Sequence, residues 1–508
     1  MADHQLRTLP NSFLTLDLSD EAVTAQLAND IAMILKVGDV LCLSGDLGAG
    51  KSTLSRALIR SFAVDPELEV PSPTFTLVQT YEVGRFDLSH FDLYRLEDPE
   101  ELEELGLDDL LETGASLIEW PEKADDLLPD KALWIQITQP NDTDESRHLV
   151  FSSENSDWQS RLQQTLEVRN FLSASAGPKA KRQFLAGDAS LRTFETVISG
   201  ETSSVLMRWP FQEDSVPEAV RSYMDTVHLA KDCRSVLAIG TTLRSKGFLA
   251  PMVMAADVDK GVILSQDLGA DTIVANGEPV PERFHAAVGV LAAMHNQKWP
   301  RTIQIENDGQ YYVQPYSNEA LIKEASLFLD WYLPERTGEA ASEDDRKVFE
   351  ALWADALKNI SNAQTGWVLR DFHSPNLLWQ KEASGTDRIG LIDFQDTVIG
   401  PVAYDVASLL LDARTDISPE LETELFDAYV TARKYHSDDF DRDAFSNAYA
   451  VMAAQRITKI LGIFVRLARR DGKPSYLDHL PRMEGYLGRV LDKPILSDLK
   501  NWYAGFRG

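Results

Sequence analysis

Two stretches of this chain combine residue types and spacings suited to handling phosphate groups. In the first, Gly45-Asp46-Leu47-Gly48-Ala49-Gly50-Lys51-Ser52-Thr53 follows the apolar run Val40–Ser44 and precedes a helical pattern containing Leu54, Leu58 and Ile59. Glycines there let successive backbone N–H groups converge on a polyphosphate, and the helix start adds its positive dipole end. Lys51 is placed to reach the outer phosphates, and the Ser52 hydroxyl to ligate Mg²⁺. In the second, Asp371 and Asn376 are separated by four residues after the apolar Trp367–Leu369, and Asp393 follows the apolar Ile389–Ile392. Phosphoryl transfer needs a carboxylate to orient the acceptor hydroxyl and take its proton, plus oxygen ligands for a metal bridging the phosphates. The spacing assigns Asp371 the role of base, with Asn376 and Asp393 as metal ligands.

Other residues are more ambiguous alone. Val70-Pro71-Ser72-Pro73-Thr74-Phe75-Thr76-Leu77 sets two prolines before an alternating run that reads as a strand. Asp92 ends the short apolar segment before Leu93-Tyr94-Arg95, and Glu119 ends the buried-looking run Leu117-Ile118. Each fits either a polar strand end or an active-site carboxylate, and the neighbouring phosphate loop favours the latter. Gln183–Phe194 reads as a glycine-containing hairpin, and Val205–Trp209 as a neighbouring strand.

These residues need elements to hold them. A helix is expected over Ser19–Lys36, capped by Ser19, with Val23, Leu27, Ile31 and Ile34 on one face and Gly38 beyond its end. The acidic run Asp98–Asp109 reads as a solvated helix face. A short helix around Leu162, Leu166 and Phe171 is followed by the small, polar and basic stretch Ser173–Arg182, and we read 156–182 as a linker between domains at 1–155 and 183–508. Helical periodicity covers Arg283–Asn296, Glu319–Tyr332, Glu343–Ile360, Ala403–Arg414, Glu420–Arg433 and Phe445–Arg469.

Composition narrows the class. A chain of 508 residues, 44% hydrophobic and 25% charged, fits two or three globular domains. No uninterrupted apolar run approaches the roughly 18–20 residues that span a bilayer, so no membrane role is expected. The start lacks a signal-peptide pattern, and only Cys42 and Cys233 occur, so a cytoplasmic location is expected. Of the net charge of −31, residues 1–160 hold most, with 10 Lys and Arg against 32 Asp and Glu. A surface that grips nucleic acid unaided is normally basic, so this half should not hold RNA or DNA by itself.

The ordered set GDLGAGKST, PSPTF, HFDLYR and IEWPE resembles the TsaE family, the ATPase subunit of the bacterial machinery that makes threonylcarbamoyladenosine in tRNA. The resemblance implies a P-loop α/β domain with a central sheet at 1–155. It carries ATP and Mg²⁺ binding over to Lys51 and Ser52, a metal-holding role to Asp92 and a role in hydrolysis to Glu119. It makes Thr74 a switch-loop candidate and places Trp120 near the nucleotide. It further implies TsaB- and TsaD-type partner subunits, with tRNA engaged only through them.

The segments GDASLR, RDFHSPNLLW and LIDFQDTVIGPVAYDVASLL resemble the aminoglycoside-phosphotransferase and choline-kinase superfamily, and within it the AmgK-type kinases of N-acetylmuramic acid and N-acetylglucosamine. That implies a bilobal protein-kinase-like α+β domain, with an N-lobe at about 183–270 and a mostly helical C-lobe at about 271–508. Arg208 stands where a phosphate-binding Lys is usual, Leu264–Gly269 resembles the adenine hinge with Asp267 and Gly269, and Asp405 resembles a fold-stabilising aspartate. The expected function is therefore bifunctional: an ATPase for tRNA modification joined to an ATP-dependent kinase acting on the anomeric hydroxyl of an amino sugar. The alternatives for the second domain are an aminoglycoside phosphotransferase or a nucleotide-binding module without turnover.

Overall fold

The computed structural model describes residues 12–124, 127–140, 145–185, 192–210, 216–436 and 439–505. Its packing divides the chain into two units, Met1–Arg208 and Trp209–Gly508.

The first unit is built on strands β1 (Ser12–Leu18), β2 (Val40–Ser44), β3 (Val78–Tyr81), β4 (Asp87–Asp92), β5 (Gly114–Glu119), β6 (Leu133–Thr138) and β7 (Arg147–Ser152). They form one mixed sheet in the order β1-β7-β6-β2-β5-β4-β3. The central strand β2 pairs in parallel with both β5 and β6. Its side chains alternate between two cores, Leu41 and Leu43 joining one apolar cluster and Val40 and Cys42 the other. Helices α1 (Glu21–Ile34) and α2 (Lys51–Ala63) cover the first of these faces. The acidic run forms the short helices α3 (Glu101–Glu104) and α4 (Leu107–Thr113), with Leu102 and Leu107 buried and most carboxylates exposed.

Three local expectations are corrected here. The cap of α1 is Asp20, whose carboxylate accepts Val23 N–H at 2.9 Å, while Ser19 donates to that same carboxylate. The strand after the proline pair starts only at Val78, because Leu77 takes φ 63° and its N–H closes a turn onto Pro73 C=O at 2.7 Å. The stretch 156–182 is largely helix: α5 (Ser156–Ser175) packs on α1 and buries Trp158, Leu162, Thr165 and Leu172. Two arginines of α5 are satisfied by carboxylates of the first unit, Arg161 on Asp39 and Arg169 on Asp30. The same unit ends in an antiparallel meander of β8 (Lys181–Leu185), β9 (Thr193–Ser199) and β10 (Thr202–Arg208). The expected glycine turn at 186–191 lies outside the described residues.

The second unit opens with α6 (Glu218–Thr226), α7 (Arg234–Ser245), the hairpin of β11 (Val253–Asp257) and β12 (Val262–Gln266), and the two-residue pair β13 (Val274–Ala275) and β14 (Glu278–Pro279). Helix α8 (Pro281–His295), the hairpin β15 (Thr302–Ile305) and β16 (Gly309–Tyr312), then α9 (Asn318–Ala325), α10 (Leu333–Thr337) and α11 (Glu343–Lys358) follow. Four short strands frame the polar loops: β17 (Thr365–Val368) pairs with β20 (Val398–Pro401), and β18 (Leu377–Trp379) with β19 (Ile389–Leu391). Helices α12 (Ala403–Leu410), α13 (Pro419–His436), α14 (Arg442–Arg469), α15 (Leu480–Leu491) and α16 (Ser497–Ala504) complete it. The most apolar 18-residue window of α14 has the length and composition of a membrane span, yet 89% of it is buried among its neighbours, as in a core helix. Helical content beyond α7 matches the expected mostly helical lobe, although Glu319–Tyr332 breaks into α9 and a π-turn at Phe328–Tyr332.

Candidate nucleotide sites

In the first unit the loop Gly45–Gly50 joins the end of β2 to the start of α2. Gly45 holds φ 144°, and a Cβ on it would lie 2.3 Å from Ile137 C=O, so only glycine fits this crossing. Lys51 Nζ donates back to the carbonyls of Gly45 at 2.6 Å and Asp46 at 2.9 Å, and sits 3.6 Å from the centroid of the Trp120 ring. Burial lowers the Lys51 pKa, against the pull of the surrounding carboxylates Glu119, Glu122, Asp46 and Asp92.

Glu119 and Asp92 arrive from the ends of β5 and β4. Glu119 is buried and accepts three side-chain donors: Ser52 Oγ at 2.7 Å, Ser55 Oγ at 2.8 Å and His90 Nε2 at 2.9 Å. Asp92 accepts Thr74 Oγ1 at 2.9 Å and the Ser72 hydroxyl, and takes the Tyr94 N–H at 3.2 Å. The structure therefore brings Lys51, Ser52, Thr74, Asp92, Glu119 and Trp120 together at one loop, with Gly48, Ala49 and Thr53 on the same loop and helix start. Ser55, Ser72 and His90 were not singled out from the sequence. A buried polar side chain such as His90 inside a strand leaves no periodic mark; the one available signal is that His90 and Ser72 lie within the motifs HFDLYR and PSPTF.

In the second unit Asp371 and Asn376 occupy the loop between β17 and β18, and Asp393 follows β19 with φ 59°. Asn376 Nδ2 donates to the Asp371 C=O at 3.0 Å and lies 3.3 Å from Asp393 Oδ2, so the three residues converge. Gln395 Nε2 donates to the other Asp393 oxygen at 2.9 Å. The Asp371 side chain is 41% exposed, and His373 Nε2 stands 3.8 Å from its Oδ1. Desolvation works against its charge, but His373, Lys459, Arg456 and Arg370 outweigh this and hold the carboxyl below its usual range. It is thus an ionised acceptor for a proton.

The loop is fixed from behind. Asp405 is fully buried and takes the N–H groups of Leu369 at 2.6 Å and Arg370 at 3.0 Å. Arg370, at φ 69°, pairs with buried Glu324, which also receives Lys459 Nζ at 2.8 Å. Asp267 Oδ1 accepts Gly269 N–H at 2.8 Å just after β12, and Gly269 takes φ 83°. Arg208 ends β10, 3.6 Å from Glu195.

A phosphate loop with two adjacent strand-end carboxylates, and a second loop converging two aspartates and an asparagine, define an enzyme with two ATP-using parts. The family model for threonylcarbamoyl adenosine biosynthesis protein TsaE matches residues 18–149, and that for the phosphotransferase enzyme family matches residues 181–444. The chain belongs to the phosphotransferase enzyme family and carries a TsaE-family ATPase part ahead of it. It is 33% identical over 346 residues to the N-acetylmuramate/N-acetylglucosamine kinase of Caulobacter vibrioides, covering 66% of this chain and 94% of that one. It is 40% identical over 120 residues to the tRNA threonylcarbamoyladenosine biosynthesis protein TsaE of Rickettsia bellii, covering 24% of this chain and 83% of that one. A microcompartment-associated aminopropanol kinase matches 66% of this chain and 98% of its own at 14% identity and a TM-score of 0.43.

Proposed function

We propose that the part ahead of α5, about residues 1–155, is the ATPase subunit of the tRNA threonylcarbamoyladenosine machinery, acting with TsaB- and TsaD-type subunits in the cytoplasm. The part from about residue 183 onward transfers the γ-phosphoryl group of ATP to the anomeric hydroxyl of N-acetylmuramate or N-acetylglucosamine. The observation that carries the second assignment is the convergence of Asp371, Asn376 and Asp393, which supports phosphoryl transfer. The extent of the likeness to the Caulobacter kinase supports the sugar.

In the ATPase part, the glycine loop and Lys51 hold the phosphates, and Trp120 flanks that lysine. Glu119, held by its three donors, orients the attacking water, while Thr74 reports on the phosphates through its bond to Asp92. In the kinase part, Asp371 accepts the proton of the sugar hydroxyl, Arg208 takes a phosphate oxygen, and the Asp267–Gly269 turn meets the base. The donor sets fit Mg²⁺, since Ser52 and Asp92 in the first site and Asn376 and Asp393 in the second offer the oxygen ligands this hard cation takes. When bound, Mg²⁺ supplies charge neutralisation along the phosphates.

A buried cation also stands near the Asp371 loop. Arg456 is 4% exposed, and its Nε and Nη1 have no hydrogen-bond partner among the described residues. Its charge bears on Asp371, His373 and Asp405. Full-length protein with ATP and Mg²⁺ is offered N-acetylmuramic acid, N-acetylglucosamine or kanamycin in turn. Phosphosugar is expected from the first two; phosphorylated kanamycin, or no product at all, overturns the assignment.

A further inference from the structure

A chain of buried charges of alternating sign runs through the first unit from α1 to the end of β10. Asp30 on α1 accepts Nε and Nη2 of Arg169 on α5, each at 2.8 Å, and Nη1 of Arg182 on β8, also at 2.8 Å. Arg182 turns its other edge to Glu195 on β9, Nε to Oε2 at 2.6 Å and Nη2 to Oε1 at 2.9 Å. Glu195 lies in turn 3.6 Å from Arg208 Nη1. The Arg182 side chain is 0% exposed and that of Arg208 17%. The backbone of Arg182 is pinned as well, its N–H and C=O both bonded to the side chain of Asn29 at 2.9 and 2.8 Å.

Buried ions are tolerable only when each is fully paired, so the position of every member is dictated by the next. Among the described residues three arginines share two carboxylates in this chain, and the positive charge left over falls on the least buried member, Arg208. A cation held in that way, partly exposed and sharing its carboxylate with a second arginine, suits an anionic ligand such as a phosphoryl group. Asp30 and Arg169 lie in or beside the part matched by the TsaE model, whereas Arg182, Glu195 and Arg208 lie in the part matched by the phosphotransferase model.

We propose that Asp30, Arg182 and Glu195 are positioning residues for Arg208, so that a helix of the ATPase part orients the cation with which the phosphotransferase part holds its nucleotide. This rests on reading the second part as an ATP-dependent phosphotransferase. It makes the two parts one device at this point, with the ATPase body serving as the back wall of the kinase's phosphate-binding strand.

The test uses the full-length protein carrying Glu195→Gln, or the pair Asp30→Asn with Arg169→Gln, which removes one buried charge of each sign. Phosphosugar formation from N-acetylmuramic acid is followed as a function of ATP concentration. The KM for ATP is expected to rise about ten-fold in Glu195→Gln, the size of one charge-assisted hydrogen bond, with kcat within about two-fold of wild type. In an Arg208→Met background the same substitutions should raise KM no further, because their effect passes through Arg208. An unchanged KM in variants that melt like wild type, or an equal rise with and without Arg208, overturns the proposal. If Glu195→Gln does not fold, Glu195→Asp, which keeps the charge but shortens its reach, should show the same split in smaller measure. If wild type makes no phosphosugar, the sugar assignment fails by itself, and calorimetric affinity for the second ATP bound per chain decides the proposal in the same variants. Absence of that second ATP overturns it.

Discussion

Asp92 and Glu119 are direct partners in register across the parallel pair of β4 and β5, so two carboxylates leave adjacent strand ends beside one phosphate loop. Their partners separate their tasks: Asp92 gathers the hydroxyls of Ser72 and Thr74, while Glu119 gathers Ser52, Ser55 and His90. Glu119→Gln should therefore lower ATP hydrolysis by roughly 10²- to 10⁴-fold, the usual weight of a positioned acid or base. Affinity for ATP should stay within about three-fold, because the loop N–H groups and Lys51 carry it. Phosphate release assayed in the presence of the partner subunits, alongside nucleotide titration, checks both halves.

His90 contributes one of the three donors that fix Glu119, and it is as buried as the carboxylate it holds. His90→Phe should cost about ten-fold in hydrolysis, the effect of one hydrogen bond to a charged group. The loss should appear in kcat rather than in the KM for ATP. An equal loss in both would mean that the histidine supports the loop and not Glu119.

Asp371 is ionised and open to an incoming hydroxyl. Asp371→Asn keeps the shape and removes the proton acceptor, so phosphoryl transfer should fall by roughly 10²- to 10⁴-fold. The KM for ATP should move little, within about two-fold, since Asn376 and Asp393 keep their places. Steady-state kinetics with the sugar acceptor reads both parameters.

Asp405 predicts a pH signature of stability. Desolvation raises its pKa from 3.8 to about 7, although Leu369 and Arg370 N–H bonds pull the other way. Between those two values the folded protein binds more protons at this site than the unfolded chain. Its contribution to stability therefore falls as pH rises through that window, by up to about 1.4 kcal/mol per pH unit, and levels off above it. In Asp405→Asn this slope vanishes, while one of the two N–H groups loses its acceptor. Melting curves of both proteins from pH 4 to 8 should show a wild-type advantage that narrows toward pH 7; parallel curves would refute the assignment.

The phosphate loop and the Asp371–Asn376 loop were readable because each is contiguous and has a fixed spacing, and β2, β4 and β5 because apolar runs end on a charged or small residue. Helix α5 was largely missed for a physical reason. Its buried face carries Arg161 and Arg169, which are compensated by Asp39 and Asp30 more than 120 positions away, and a search for apolar stripes cannot see a face that is buried through ion pairs. Arg182 reads as part of a polar, basic linker on the same grounds. The cap at Asp20 instead of Ser19 and the late start of β3 are errors of one to four residues, set by which side chain reaches Val23 N–H and by the turn at Leu77.

The burial of Arg182 bears on how such a gene can evolve. Splitting the reading frame anywhere between α5 and β8 would release two proteins, one exposing Asp30 without its second guanidinium and the other exposing a meander whose Arg182 had lost an anchor. Each orphaned ion carries a penalty of about 3–5 kcal/mol where it stays buried, a large part of the roughly 5–15 kcal/mol by which a domain is stable. Once joined, the two reading frames are thereby held together by selection on folding itself, whether or not their products ever serve the same pathway.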